Sequence, residues 1–195
     1  MENKLNFAEV LSEAFTIGLK NFFSILGCVI LWLVTIWIPY LNVGTTIAIS
    51  TLPAALSKGK VISPLEIFNS RYLKFMGEFF LVQGLLFMIL LPALIFLIVP
   101  AIVLSLAYCL SALLVVDKGK GASEALKLSN MATSGSKWII FFVQIVLVIP
   151  LGIVGLIWEP LAIIYAIIFI PVMMGAAASI YGKLTAGIPD ETQPE

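Results

Sequence analysis

The sequence predicts an all-α, polytopic helical membrane protein with six transmembrane helices arranged as three hairpins, each preceded by an amphipathic surface helix. Three observations lead there. The chain is 61% hydrophobic and only 11% charged, with a mean hydropathy of +1.12, whereas soluble domains carry charge on about a quarter of their residues. Its eleven Lys and Arg residues all fall into four short clusters, so that 21–57, 75–117 and 138–182 contain no basic residue. Each such gap, roughly 36 to 45 residues, is too long for one span of about 20 and long enough for two, so each reads as a pair of helices that leaves and returns on the same side.

The first element is a surface helix over 6–20. Phe7, Val10, Leu11, Phe15, Leu19 and Phe22 recur at three- and four-residue intervals, with Glu9, Ser12, Glu13, Thr16 and Lys20 on the other face. Asn6 is its expected N-cap, and Glu9 supplies the acid that the helix dipole favours. The opening Met1-Glu2-Asn3-Lys4 is a poor match to a cleaved signal peptide. The hairpin over 21–57 follows, turning near Pro39-Tyr40-Leu41-Asn42, where a proline and a polar residue can end a helix.

Lys58-Gly59-Lys60 then precedes Ser63-Pro64-Leu65-Glu66, a Ser cap with Pro at the first helical position and Glu as reciprocal partner. This predicts a second surface helix over 64–74, its stripe formed by Leu65, Phe68, Tyr72, Phe75 and Met76. The hairpin over 75–116 is the most apolar and turns between Pro92 and Pro100. No polar residue marks that turn, so its backbone is expected to be sheltered by protein or to sit at the headgroups.

Lys118-Gly119-Lys120 repeats the earlier tripeptide and leads into a third surface helix over 122–133, where Ser129 and Asn130 interrupt the apolar stripe. The last hairpin, 138–182, turns at Trp158-Glu159-Pro160, with Trp158 as an interface anchor. Residues 1–186 form one membrane domain and 187–195 a polar tail. The three copies of surface helix plus hairpin suggest one unit used three times.

A net charge of zero gives no reason to expect nucleic acid. With no histidine, and with Cys28 and Cys109 both inside apolar runs, no metal site, cofactor or structural disulfide is expected. Glu13, Glu66, Asp117 and Glu124 lie at helix starts or span ends, where capping accounts for them, and no catalytic residue is assigned. Two groups remain as candidate sites. Lys58, Lys60, Lys118 and Lys120 can meet lipid headgroups, since Gly lets backbone amides approach a phosphate flanked by ammonium groups. Glu78, Gln83 and Gln144 form a candidate intramembrane polar cluster, because polar groups in hydrocarbon are costly enough to suggest a role. Small residues at helical spacing, Gly44/Ala48/Thr51/Ala55 and Gly175/Ser179/Gly182, permit close helix packing.

From Pro100 onward the chain resembles a group of bacterial integral membrane proteins of unknown function related to the membrane domain of glycerophosphoryl diester phosphodiesterases. The residues that carry the resemblance are Pro100, Tyr108, Asp117, Glu124-Ala125-Leu126, Ser129, Gly135, Lys137-Trp138 and Phe141-Phe142. The surface helix before the first span and the segment 56–68 are similar too. Where such proteins carry Gly after the proline and a basic residue beside the aromatic, this chain has Ala101 and Ala107. The resemblance implies a membrane-embedded module and transfers no chemistry.

The expected function is therefore a non-enzymatic module of the bacterial inner membrane with both termini cytoplasmic. It would act as a scaffold or accessory subunit that binds membrane lipids, other membrane proteins or a second copy of itself. The alternative is a small transporter or channel with its site near the intramembrane polar residues.

Overall fold

A computed structural model describes residues 5–59, 61–157 and 159–190. Among them the chain is all-helical: α1 Phe7–Lys20, α2 Phe22–Thr35, α3 Leu41–Leu56, a 3₁₀ helix Pro64–Phe68, α4 Arg71–Lys74, α5 Met76–Phe96, α6 Ile98–Tyr108, α7 Ser111–Lys118, α8 Ala122–Thr133, α9 Lys137–Ile157 and α10 Glu159–Thr185. Four helical stretches are long and apolar enough to cross a membrane: α5, α6 with α7, α9, and Ile163–Thr185 of α10. A fifth is reached if α1 and α2, bent by 70° at Asn21, count as one. The chain is thus a helical, multi-pass membrane protein. Its lipid-facing surface is visible in α5, where Phe79 and Val82 are buried while Phe80, Leu81, Phe87, Met88, Leu94 and Ile95 are exposed.

The start of α1 follows the sequence. Asn6 Oδ1 accepts from the N–H groups of Ala8 and Glu9 at 3.0 and 3.3 Å. The buried face differs from the expected stripe. Val10, Ala14 and Gly18 are buried against α10, while Phe7, Phe15 and Leu19 stay exposed. Small residues win that face because the helices cross almost in backbone contact: a Cβ on Gly175 would lie 2.3 Å from the Ala14 carbonyl oxygen, and one on Gly18 2.7 Å from that of Pro171.

The expected helix over 64–74 is divided. Ser63 Oγ accepts from Leu65 N–H at 3.4 Å and Pro64 opens the 3₁₀ helix, but Asn69 is extended and Arg71–Lys74 is a single separate turn. Asn69 Oδ1 restarts the chain by accepting from Arg71 N–H at 3.0 Å, so a local cap competes with helix continuation. Glu66 pairs with Arg71 at 2.8 Å. The whole segment packs on α2 and α3: Ile62 N–H donates to Asn21 Oδ1, and Leu73 lies against Gly44.

The first two turns fall within the stretches that proline marks in the sequence. Between α2 and α3, Leu41 N–H donates to Pro39 O at 2.8 Å and Tyr40 takes φ 69° and ψ −49°, a strained γ-turn in a residue other than glycine. Between α5 and α6 the link is the single extended residue Leu97. This turn is not sheltered by the chain, since Phe96, Leu97, Ile98 and Val99 are all exposed. A one-residue link needs little shelter: Leu97 N–H donates to Ala93 O, and Leu97 O accepts from Ala101 N–H. The described part of α9 ends at Ile157 and that of α10 begins at Glu159. Trp158, like Lys60 and 191–195 of the expected tail, lies outside the described residues.

A second break, not foreseen, separates α6 from α7 at Cys109 and Leu110. It is closed from outside. Ser129 of α8 donates to Ala107 O at 2.8 Å and accepts from Leu110 N–H at 3.1 Å, while Thr133 also donates to Ala107 O. Both side chains are fully buried. Ser129, which looked like an interruption of the stripe, supplies the partners that an open helical backbone requires.

Candidate functional site

The two Lys-Gly-Lys turns arise in the same way. Gly59 and Gly119 adopt φ 73° and 69°, the left-handed conformation that ends a helix and favours glycine, here after α3 and α7. Each turn holds its first lysine at a helix C-terminus, where a cation is favoured.

These ends meet the other charge clusters through side-chain bonds. Lys20 Nζ donates to Gly59 O at 3.2 Å, linking the first cluster to the second. Lys58 pairs with Asp117 at 2.5 Å, linking the second to the third. Tyr181 OH donates to Asp117 Oδ2 at 2.8 Å, and Lys118 pairs with Asp190 at 2.6 Å, which reaches the fourth. Lys183 closes the circuit by bridging Glu9 and Glu13 at 2.5 and 2.9 Å, with Ser179 donating to Glu13. Clusters that are far apart in sequence therefore form one charged face.

A cleft of about 590 Å³ opens in this face. Lys58, Arg71, Lys74, Glu66, Asp117 and Ser63 contribute its polar lining, and Ala54, Val61 and Val116 are among its apolar walls. Asp117, its side chain only 8% exposed, acts as an anchor that orients Lys58 and Tyr181. The guanidinium of Arg71 is held by two residues: Nη2 meets Glu66 Oε1 and donates to Tyr72 OH at 3.0 Å, and the group lies 4.8 Å from the centroid of the Tyr72 ring. Burial works against the Arg71 charge, but the Tyr72 hydroxyl and the carboxylates of Glu66 and Asp117 more than offset it and raise the pKa above its ordinary value.

The candidate lysines are distributed unequally. Lys58 lines the cleft; Lys118 is occupied by Asp190, and Lys120, 6% exposed, pairs with Glu124 at 3.1 Å. Lys60 is outside the described residues. The proposed intramembrane trio is not joined by any hydrogen bond among the described residues. Glu78 Oε2 accepts from Ala122 N–H at 2.7 Å and so caps α8, whose own N-cap residue Gly121 has no side chain to do so. Gln83 and Gln144 are exposed on α5 and α9. Neither this cleft nor a smaller one of about 220 Å³ near Tyr40 and Leu73 is lined by them.

Sequence reasoning missed Arg71 and Lys74. Arg71 is the only arginine in the chain, and the arginine side chain is the one suited to bidentate anion contacts, which is the signal that was there to use. Among the described residues no group of three or more His, Cys, Asp or Glu side chains is placed to hold a metal ion. No protein-family model, curated protein or solved structure matches the chain.

Proposed function

We propose that this chain is a non-enzymatic integral membrane module, a scaffold or accessory subunit that binds lipid or membrane-protein partners through its charged face. The observation that carries the reading is how the acids are used. Every acidic side chain that the structure describes is engaged: Glu9 and Glu13 with Lys183, Glu66 with Arg71, Asp117 with Lys58, Glu124 with Lys120, Asp190 with Lys118, and Glu78 with a helix N-terminus. Glu66 and Asp117, the two acids that line the cleft, are each held by a cation there, which favours a binding role over that of a general acid or base.

The topology proposed with it has six membrane helices in three hairpins, all returning to the charged face on the cytoplasmic side of a bacterial inner membrane. The convergence of the four clusters supports this arrangement. The first hairpin is short: α2 and α3, with 14 and 16 residues, measure about 21 and 24 Å against a hydrocarbon core of about 30 Å. That pair would thin the bilayer or reach only part way. Kinship with the proteins related to the glycerophosphoryl diester phosphodiesterase membrane domain belongs to the same proposal.

Native mass spectrometry of the protein extracted from its own membranes, with identification of what stays bound, is the test. A specific lipid or a stoichiometric membrane protein is the expected result, and a bare chain contradicts it.

A further inference from the structure

We infer that Lys58, Arg71 and Lys74 form a binding site for an anionic phosphate group, carried by a lipid headgroup or by a soluble phosphate ester. The inference deepens the proposed function and rests on its ligand-binding part. Three cations from two segments, Lys58 just past the end of α3 and Arg71 and Lys74 at the two ends of α4, line one cleft with two carboxylates, which leaves an excess of one positive charge. Asp117, also bonded to Tyr181, holds Lys58, and Glu66 holds Arg71, so Glu66 is the carboxylate that competes for the guanidinium.

The cations are arranged for this chemistry. The Glu66 and Tyr72 contacts of Arg71 both use Nη2, so the N–H donors of Nη1 and Nε can each give a single charge-assisted hydrogen bond to a phosphate oxygen. The guanidinium plane is held by Tyr72 beforehand, so little freedom is lost on binding. Lys74 is exposed and has no ion pair with a described residue, and Lys58, 59% exposed at its side chain, is aimed by Asp117. Ser63 offers a hydroxyl at the wall. Val61, on the same lining, is 61% exposed and continues the cleft as an apolar surface on which an acyl chain can lie.

The experiment uses the full chain in a non-ionic detergent, offered equimolar phosphatidylglycerol and phosphatidylcholine, with adducts read by native mass spectrometry. A parallel arm follows the thermal midpoint with glycerol 3-phosphate. The wild type should prefer the anionic lipid, and R71Q/K74Q should lower that preference roughly tenfold. K127Q, which alters an exposed lysine outside the cleft, should leave it unchanged. E66Q, which removes the competing carboxylate, should raise it, a direction that mere damage to the fold would not produce. Titrated inorganic phosphate separates the sources: release of the lipid shows that the phosphate group suffices, whereas its persistence assigns the site to headgroup and chain together. Retention of the preference by R71Q/K74Q overturns the site and leaves lipid binding standing, as does a wild type that neither prefers the anionic lipid nor responds to glycerol 3-phosphate. A wild type that holds no lipid and no protein at all overturns the proposed function with it.

Discussion

The ammonium of Lys58 stands 2.5 Å from Asp117 Oδ1, so the first Lys-Gly-Lys turn is fastened to the residue that immediately precedes the second. Asp117 also accepts from Tyr181 OH at 2.8 Å, which brings the last helix to the same point. One carboxylate thus ties three segments together at the centre of the charged face.

The two partners should not be equivalent. Asp117→Ala strips Lys58 of its carboxylate and leaves the 1%-exposed Tyr181 without its acceptor, a loss of about 1–3 kcal/mol. Lys58→Ala removes only a solvated ammonium and should cost less than about 1 kcal/mol. Thermal or denaturant unfolding in detergent measures both. Equal losses would show that Asp117 is not the hub.

Ser129→Ala should destabilise the break between α6 and α7. It removes the acceptor for Leu110 N–H and one of two donors to Ala107 O, at a cost of about 1–3 kcal/mol for a buried group left unpaired. Amide exchange at Leu110 is the local readout and should accelerate. Unchanged protection there would mean that α8 does not support the break.

How much of this was legible in the sequence depends on whether local or distant partners decide the outcome. Asn6 as a cap and a helix over 122–133 follow from neighbouring residues, and the structure agrees. The role of Ser129 was invisible because its partners, Ala107 and Leu110, belong to another helix. Glu78 drew attention as an intramembrane acid, yet it caps α8, and only the packing of α5 on α8 reveals that. The cleft was half legible: Lys58 stood out in its tripeptide, while Arg71 and Lys74 looked like ordinary anchors until the division of 64–74 turned them into one wall.

Glycine spacing carries its own prediction. Gly175→Ala places a methyl group 2.3 Å from the Ala14 carbonyl oxygen, so α1 must move off α10; overpacking of this kind costs about 1–3 kcal/mol. Gly84→Ala on α5 meets nothing within 4 Å and should be neutral or stabilising by up to about 1 kcal/mol through helix propensity. Comparison of their thermal midpoints tests the crossing, and a tolerated Gly175→Ala would contradict it.

Acid should release the end of the chain from the charged face. The bond from Lys118 and its charge hold the Asp190 carboxyl below its ordinary pKa of 3.8. Because the value is lowered by folding, the contact contributes fully above 3.8 and is lost as pH falls through the lower, folded value. A carboxyl ¹³C titration should give a midpoint under 3.8 that rises toward 3.8 in Lys118→Gln. A wild-type midpoint already at 3.8 would show that the pair does not form.

The central claim is that all four charge clusters occupy one side of the membrane. Single cysteines at Lys20, Lys74, Lys127 and Ala186, with Cys28 and Cys109 replaced by alanine, sample the four clusters at exposed or chain-end positions, and Leu97→Cys samples the turn between α5 and α6. An impermeant maleimide applied to oriented vesicles should modify the first four from the cytoplasmic side only and Leu97→Cys from the other. Labelling of any of the four from the opposite side, or of Leu97→Cys from the same side as the rest, would contradict the account.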